Sequence, residues 1–342
     1  MKKSTIILAI LFLLTLGACS KQSKEVERKD KTNVLKIYSY DSFVSYGLGK
    51  QAIPEFERQN NCKVELITAG DAGMMLNRLI MEKTNPQADI AVGIDNTFLQ
   101  KALSKQVFEP YEAKNLKNID KALVFDKSHH LTPFDYGYFA FVYDTQVIKN
   151  PPTTFGELQS AAYKGKIILI DPRTSSPGKG LFLWSLAAFG KDGFEVFWKS
   201  MRNNVLTTPA SWDEAYNAFL HEEAPIVLSY ATSPAYHFET EKSTRYKAFI
   251  PKEGGFRQIE GAGIVNNCNN PNLARKFIEY MLTDDFQKHI PTTQWMYPVL
   301  ESVKLPEGFK FCPVPEKDLT LKVKPEYYSE EWMNKWLNIM TK

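Results

Sequence analysis

Short apolar strands alternate with helices from Val34 to Gly93, in the order β-α-β-α-β, and this order constrains the fold more than any other feature of the chain. Val34 to Tyr38 is strand-like, Ile53 to Phe56 falls in a helix, and Lys63 to Ile67 is a second strand. Asp71 caps a helix carrying Met75, Leu76, Leu79 and Ile80, which stops before Pro86. Ala88 to Gly93 is a third strand, apolar throughout. Such an order predicts an α/β fold with a parallel sheet covered by helices on both faces. The pattern restarts with strands over Phe134 to Tyr143, Lys166 to Ile170 and Ala224 to Tyr230. Helices over Leu181 to Phe189 and Trp212 to His221 lie between them, the second opened by a Ser211/Glu214 capping box. Asn270-Pro271 starts another helix, with Leu273, Phe277, Ile278 and Met281 on one face. Ser329 caps a last one, whose Trp332, Trp336 and Met340 stripe is expected to pack against the first lobe. Two α/β units with no Gly/Ser linker predict lobes joined by crossing strands.

The amino-terminal segment places the protein. Lys2 and Lys3 lead into an apolar run from Ile6 to Leu16, followed by Leu16-Gly17-Ala18-Cys19. The run is shorter than the ~20 residues of a membrane-spanning helix and has the layout of a secretory signal. A cysteine after Leu-Gly-Ala resembles the bacterial lipobox, so residues 1–18 read as a signal peptide and Cys19 as the lipidated residue. The polar stretch from Ser20 to Asn33 reads as a tether. A chain held by acyl chains outside the cytoplasmic membrane, in the periplasm or on the cell surface, has no access to pools of ATP, NAD or coenzyme A.

About 320 residues remain, enough for two domains. A hydrophobic fraction of 44% supports a real core, and a net charge of +3 is too small to argue for nucleic acid. Aromatics make up 13% of the chain, and in an exported protein such rings can line a ligand cleft. Cys62, Cys268 and Cys312 allow at most one disulfide. No phosphate loop, dinucleotide fingerprint, H-E-x-x-H, C-x-x-C or G-x-S-x-G motif is present, and the adjacent His129 and His130 make a poor metal site.

What remains is a set of strand-to-helix loops bearing hydroxyls, rings and a few carboxylates, where open α/β sheets bind ligands. In the loop from Asp171 to Gly180, Thr174, Ser175 and Ser176 stand where free backbone N–H groups meet an anion, with Lys179 near enough in sequence to add charge. The loop from Leu228 to His237 carries Tyr230, Ser233 and Tyr236. Asp41 and Asp71 follow the first two strands. Rings with one or two carboxylates suit an organic cation, each ring face contributing roughly 0.5–2 kcal/mol.

The segments Tyr38 to Phe43, Pro133 to Asp144, Asp171 to Gly178, Leu228 to His237 and Trp295 to Pro298 closely resemble the periplasmic thiamine-binding proteins of bacterial ABC importers. The resemblance runs from about Val34 to the C-terminal helix. It implies a type II periplasmic-binding-protein fold: two α/β lobes, two hinge-crossing strands and a cleft between them. Lobe 1 would comprise residues 34–135 and 259–342, and lobe 2 residues 136–258. It implies a ligand site of Tyr40, Asp71, the hydroxyl pair Ser175 and Ser176, Trp212, Tyr230, Ser233, Tyr236 and Trp295. Tyr46 stands where relatives usually have Trp. Ala72 stands where a Gly meets ligand through its backbone, which a methyl tolerates only outside the left-handed region. The implied function is capture of thiamine, thiamine monophosphate or thiamine diphosphate by a monomer without cofactor. The ligand is then delivered to an ABC permease and its ATPase. The competing readings are a thiaminase-like enzyme, which needs a cleft cysteine, and a ferric-ion or polyamine receptor, which needs paired tyrosines or several carboxylates.

Overall fold

Eleven strands order the described residues: β1 (Val34–Ser39), β2 (Lys63–Thr68), β3 (Ile90–Asp95), β4 (Phe108–Glu109), β5 (Thr132–Asp144), β6 (Ile167–Ile168), β7 (Val205–Thr207), β8 (Ile226–Tyr230), β9 (Tyr246–Phe249), β10 (Arg257–Val265) and β11 (Tyr297–Pro298). The structure is a computed structural model that describes residues 29–341. The signal segment, Cys19 and the first part of the tether lie outside the described residues.

The main strand order is β2-β1-β3-β10-β5-β8-β6-β7. β1, β2 and β3 run parallel, as do β6, β7 and β8, which is the arrangement expected of each α/β unit. The parallel expectation fails at the centre. β10 is antiparallel to both β3 and β5, and β5 is antiparallel to β8. Strands that carry the chain from one lobe to the other have no crossover helix to make them parallel.

β5 joins the lobes. Its first half, Thr132 to Tyr138, pairs with β10, and its second half pairs with β8 and β9. The chain returns between β9 and β10, where the Phe139 N–H donates to the Phe256 carbonyl at 3.0 Å. Of the three apolar cores among the described residues, the two larger flank this crossing. One runs from Leu35 to Phe134 and from Ile259 to Leu300; the other includes Phe139, Trp184, Phe197 and Phe256.

The Ser176–Met201 helix starts earlier than the apolar pattern alone indicates, because Pro177 stands in its first turn. It breaks at Gly190, which has non-helical angles (φ 66°, ψ −173°). Both Asp71 and Ser329 stand at helix N-caps without making a side-chain capping bond, whereas Ser211 does cap, accepting from the Glu214 N–H at 3.2 Å.

The Glu330–Met340 helix corrects the expectation for the C-terminus. It packs against the second core, not the first: Trp332 meets Phe194 edge-on at 5.3 Å, and Trp336 meets Trp198 at 5.8 Å. Leu319 and Tyr327 join the same core. The aromatic face of the Ser176–Met201 helix needs a cover, and the two tryptophans supply it through edge-to-face contacts. No disulfide joins the three described cysteines, Cys62, Cys268 and Cys312.

Candidate functional site

A cleft enclosing about 730 Å³, its solvent-filled mouth included, lies between the lobes and is lined by residues of both. Lobe 1 supplies Tyr40 directly after β1, Tyr46, and Asp71 and Ala72 at the start of the Ala72–Met81 helix. Lobe 2 supplies Ser176, Trp212, Tyr230, Ser233 and Tyr236, all at strand ends or helix starts. Trp295 closes one side.

Asp71 is buried and tied across the cleft. Its Oδ2 accepts from the Ser175 hydroxyl at 2.5 Å and from the Trp212 backbone N–H at 2.9 Å. Burial pushes this carboxyl up to about 6, with smaller contributions from Asp41 and Glu214, while the two hydrogen bonds hold it down. Ser175 therefore does not face the cleft. It is fully buried behind the wall, its hydroxyl engaged by Asp71, and of the expected hydroxyl pair only Ser176 lines the space.

Close approach of the lobes at this point depends on Gly73. A Cβ there would sit 2.7 Å from the Arg173 carbonyl oxygen, and the Gly73 N–H donates to the Thr174 carbonyl at 3.0 Å. Ala72 is the first residue of its helix and is not among the positive-φ residues, so its methyl is tolerated.

Four rings form the mouth. Tyr46 contacts Tyr236 with centroids 5.3 Å apart and Trp212 at 5.9 Å, and Tyr236 meets Trp295 at 5.5 Å. Tyr46 belongs to lobe 1 and its two partners to lobe 2, so these contacts span the gap. Trp212 is held from behind. It stacks on Tyr216 at 4.8 Å, and its indole N–H donates to Ser229 Oγ at 2.9 Å, which in turn pairs with Ser233 at 3.0 Å. Trp295 has φ 57°, left-handed for a large residue, and follows a π turn over Ile290–Gln294. Such a conformation costs about 1–2 kcal/mol and is sustained here where the ring faces a site.

Deeper in, Tyr40 lies against Gly93, whose φ is +105° and whose Cβ would fall 2.2 Å from the ring. The Tyr40 hydroxyl donates to Glu260 Oε2 at 2.6 Å. Glu260 and Gln294 line the floor, and sequence reasoning missed both. A lone glutamate inside the apolar run Ile259-Glu260-Gly261-Ala262-Gly263-Ile264-Val265 was the available signal. Lys179 does not reach the cleft: its ammonium lies 4.7 Å from the centre of the Phe182 ring and is pushed down to about 8 by burial and by Lys101. None of the three described cysteines lines the cleft, and burial raises the Cys62 and Cys312 thiols, Cys312 to about 12. That is the opposite of an activated nucleophile. Tyr327 is buried in the second core and does not line the cleft.

Residues 85–315 match the family described as bacterial extracellular solute-binding protein. The chain belongs to this family. The binding protein is 40% identical over 336 residues to the thiamine-binding periplasmic protein of Brucella melitensis, covering 96% of this chain and 98% of that one. It is 39% identical to the thiamine-binding periplasmic protein of Escherichia coli K12, over 89% and 92% of the two chains. A solved periplasmic thiamin binding protein superposes with a TM-score of 0.84 at 37% identity, covering 90% of this chain and 96% of that one. These relatives are periplasmic binding proteins of transport, not enzymes. A ferric-ion-binding protein of Pasteurella haemolytica, at 18% identity and a TM-score of 0.75, shares the fold alone. The two-lobed architecture is that of type II periplasmic binding proteins.

Proposed function

We propose that the binding protein captures thiamine, and its mono- and diphosphates, between the lobes and delivers them unchanged to the permease and ATPase of an ABC importer. The observation that carries this reading is Asp71, a buried carboxylate at the back of a cage made by Tyr46, Trp212, Tyr236 and Trp295. A planar organic cation gains from ring faces and from the carboxylate together. Thiamine, whose thiazolium carries a permanent charge, fits that demand, and the names of the relatives support the choice.

Two of the six tryptophans line the cleft and the others lie elsewhere, so thiamine is expected to quench part of the emission. Receptors of this kind need dissociation constants of about micromolar to nanomolar. Fluorescence titration and calorimetry, followed by mass spectrometry of the recovered ligand, test the reading. Intact thiamine supports it; no binding at millimolar thiamine, or a cleaved pyrimidine, overturns it.

The phosphates would lie at Ser176, where the Ser176–Met201 helix begins and its first N–H groups favour an anion. Ser176→Ala is expected to weaken the two phosphates more than thiamine, by about 1 kcal/mol or more. Ser175→Ala acts through Asp71 and is expected to weaken all three ligands alike. Calorimetry across the series separates the two, and equal losses in the Ser176 variant would place the phosphate elsewhere.

Cys19 would carry the lipid that holds the protein to the membrane. Replacing it with serine should free the protein into the soluble exported fraction with its thiamine affinity intact. A variant still pelleting with membranes would rule the anchor out.

A further inference from the structure

Among the described residues two carboxylates line the cleft, Asp71 and Glu260, and they stand in different chemical settings. Asp71 lies where the lobes meet, among the rings. Glu260 lies on the floor, on β10. Its Oε2 accepts from Tyr40 at 2.6 Å and its Oε1 from the Gln258 amide at 3.2 Å. Tyr40 accepts in turn from the Gln294 side-chain amide, so Gln294, Tyr40 and Glu260 form a chain across the floor.

This chain fixes the orientation of Gln294. The Tyr40 proton is directed at Glu260, so Gln294 presents its NH₂ to Tyr40 and turns its carbonyl away. That carbonyl oxygen is buried and has no partner in the structure. A buried acceptor without a donor is costly, and a ligand donor would relieve it.

The floor is also short of charge. Burial, and then the nearby Asp95 and Asp71, push Glu260 up to about 8, against the hydrogen bonds from Tyr40 and Gln258. Asp135, opposite Glu260 in the β5–β10 register and fully buried, is pushed well up by burial and by Glu260 itself. The Tyr40 and Tyr230 phenols are likewise held neutral by burial. Burial thus favours the neutral acid form of Glu260, whose proton then sits on Oε1, the oxygen that does not accept from Tyr40, and is available to donate.

Building on the thiamine reading above, we propose that Glu260 and Gln294 are the specificity determinants that read the aminopyrimidine half of the ligand. The edge of a 4-aminopyrimidine offers ring-nitrogen acceptors beside an amine donor. The Glu260 O–H donates to a ring nitrogen, and the Gln294 carbonyl accepts from the amine. The thiazolium then remains at Asp71 and the rings, where its charge is met by a carboxylate. The reverse orientation sets a cation on a neutral floor and leaves the Gln294 carbonyl without a donor.

Calorimetry near neutral pH with three probes tests this: thiamine, its 4-oxo analogue, and an N-methylated thiazolium lacking the pyrimidine. The wild-type protein should bind thiamine more tightly than the 4-oxo analogue, a comparison that needs no variant. Glu260→Leu and Gln294→Leu should each weaken thiamine roughly 10- to 100-fold while changing the thiazolium probe by less than about twofold. Glu260→Gln keeps an N–H donor and a carbonyl and should recover most of the affinity. Equal losses for thiamine and the thiazolium probe, or wild-type indifference to the 4-oxo group, would overturn the assignment. A wild-type protein that takes up neither thiamine nor the thiazolium would instead overturn the capture reading itself.

Discussion

Asp71→Asn is expected to weaken thiamine binding by about 1.5–3 kcal/mol, a loss of order 10- to 100-fold, and to flatten its dependence on pH. The change is nearly isosteric, and the side-chain oxygen can still accept from Ser175 and the Trp212 N–H, so the lobes keep their contact. What disappears is the charge. The sign of the pH effect follows from the raised carboxyl of Asp71, which titrates at about 6 because burial disfavours its ionised form. Above that value it is ionised and attracts a cation; as pH falls through about 6 it takes up a proton and the attraction is lost. Wild-type affinity for thiamine should therefore fall on acidification. The variant should show only the smaller slope left by Asp213, which titrates in the same range but does not line the cleft. Calorimetry from mildly acidic to neutral pH measures both curves, and parallel curves would show that Asp71 acts through shape alone.

Trp212→Ala should cost about 2–3 kcal/mol in thiamine affinity, because one truncation removes a cation-facing ring and opens the mouth to water. The backbone N–H of residue 212 still reaches Asp71 in the variant, so the loss belongs to the ring. Trp212→Phe keeps an aromatic face and gives up the indole bond to Ser229, whose hydroxyl retains Ser233. It should preserve most of the affinity. Full binding by the alanine variant would remove Trp212 from the cage.

Much of the architecture was legible because strands separated by helices leave a simple trace in an apolar pattern. The three strands of the first unit and the helix starts at Ser211 and Asn270-Pro271 needed only periodicity and capping residues. The antiparallel pairings of β10 were not legible, since a strand's direction is set by where the chain has come from. The C-terminal helix shows the same limit. An amphipathic stripe announces that it will be covered, but Trp332 and Trp336 do not say by which core.

The cleft divides along similar lines. Tyr230, Ser233 and Tyr236 were accessible from their place on a strand-to-helix loop, whereas Tyr40 and Trp212 came only with the family resemblance. Asp71 carried an N-cap signature that misdescribed its bonds, because its true partners, Ser175 and Trp212, lie 104 and 141 residues away. Glu260 and Gln294 belong to the floor only through long-range contacts with Tyr40, which no local pattern encodes.

The two ends of the described chain belong to different lobes. Lys31 and Thr32 are bonded to Asn269 and Asn270 at the edge of the first lobe, while the C-terminal helix is sealed into the second. A rotation of one lobe against the other about β5 must therefore change the separation of the two ends, which makes the molecule its own caliper. Fluorophores attached near each end would report opening and closing as a distance, without a label in the cleft. A partner fused to the C-terminus would ride on the lobe that swings relative to Lys31 and Thr32.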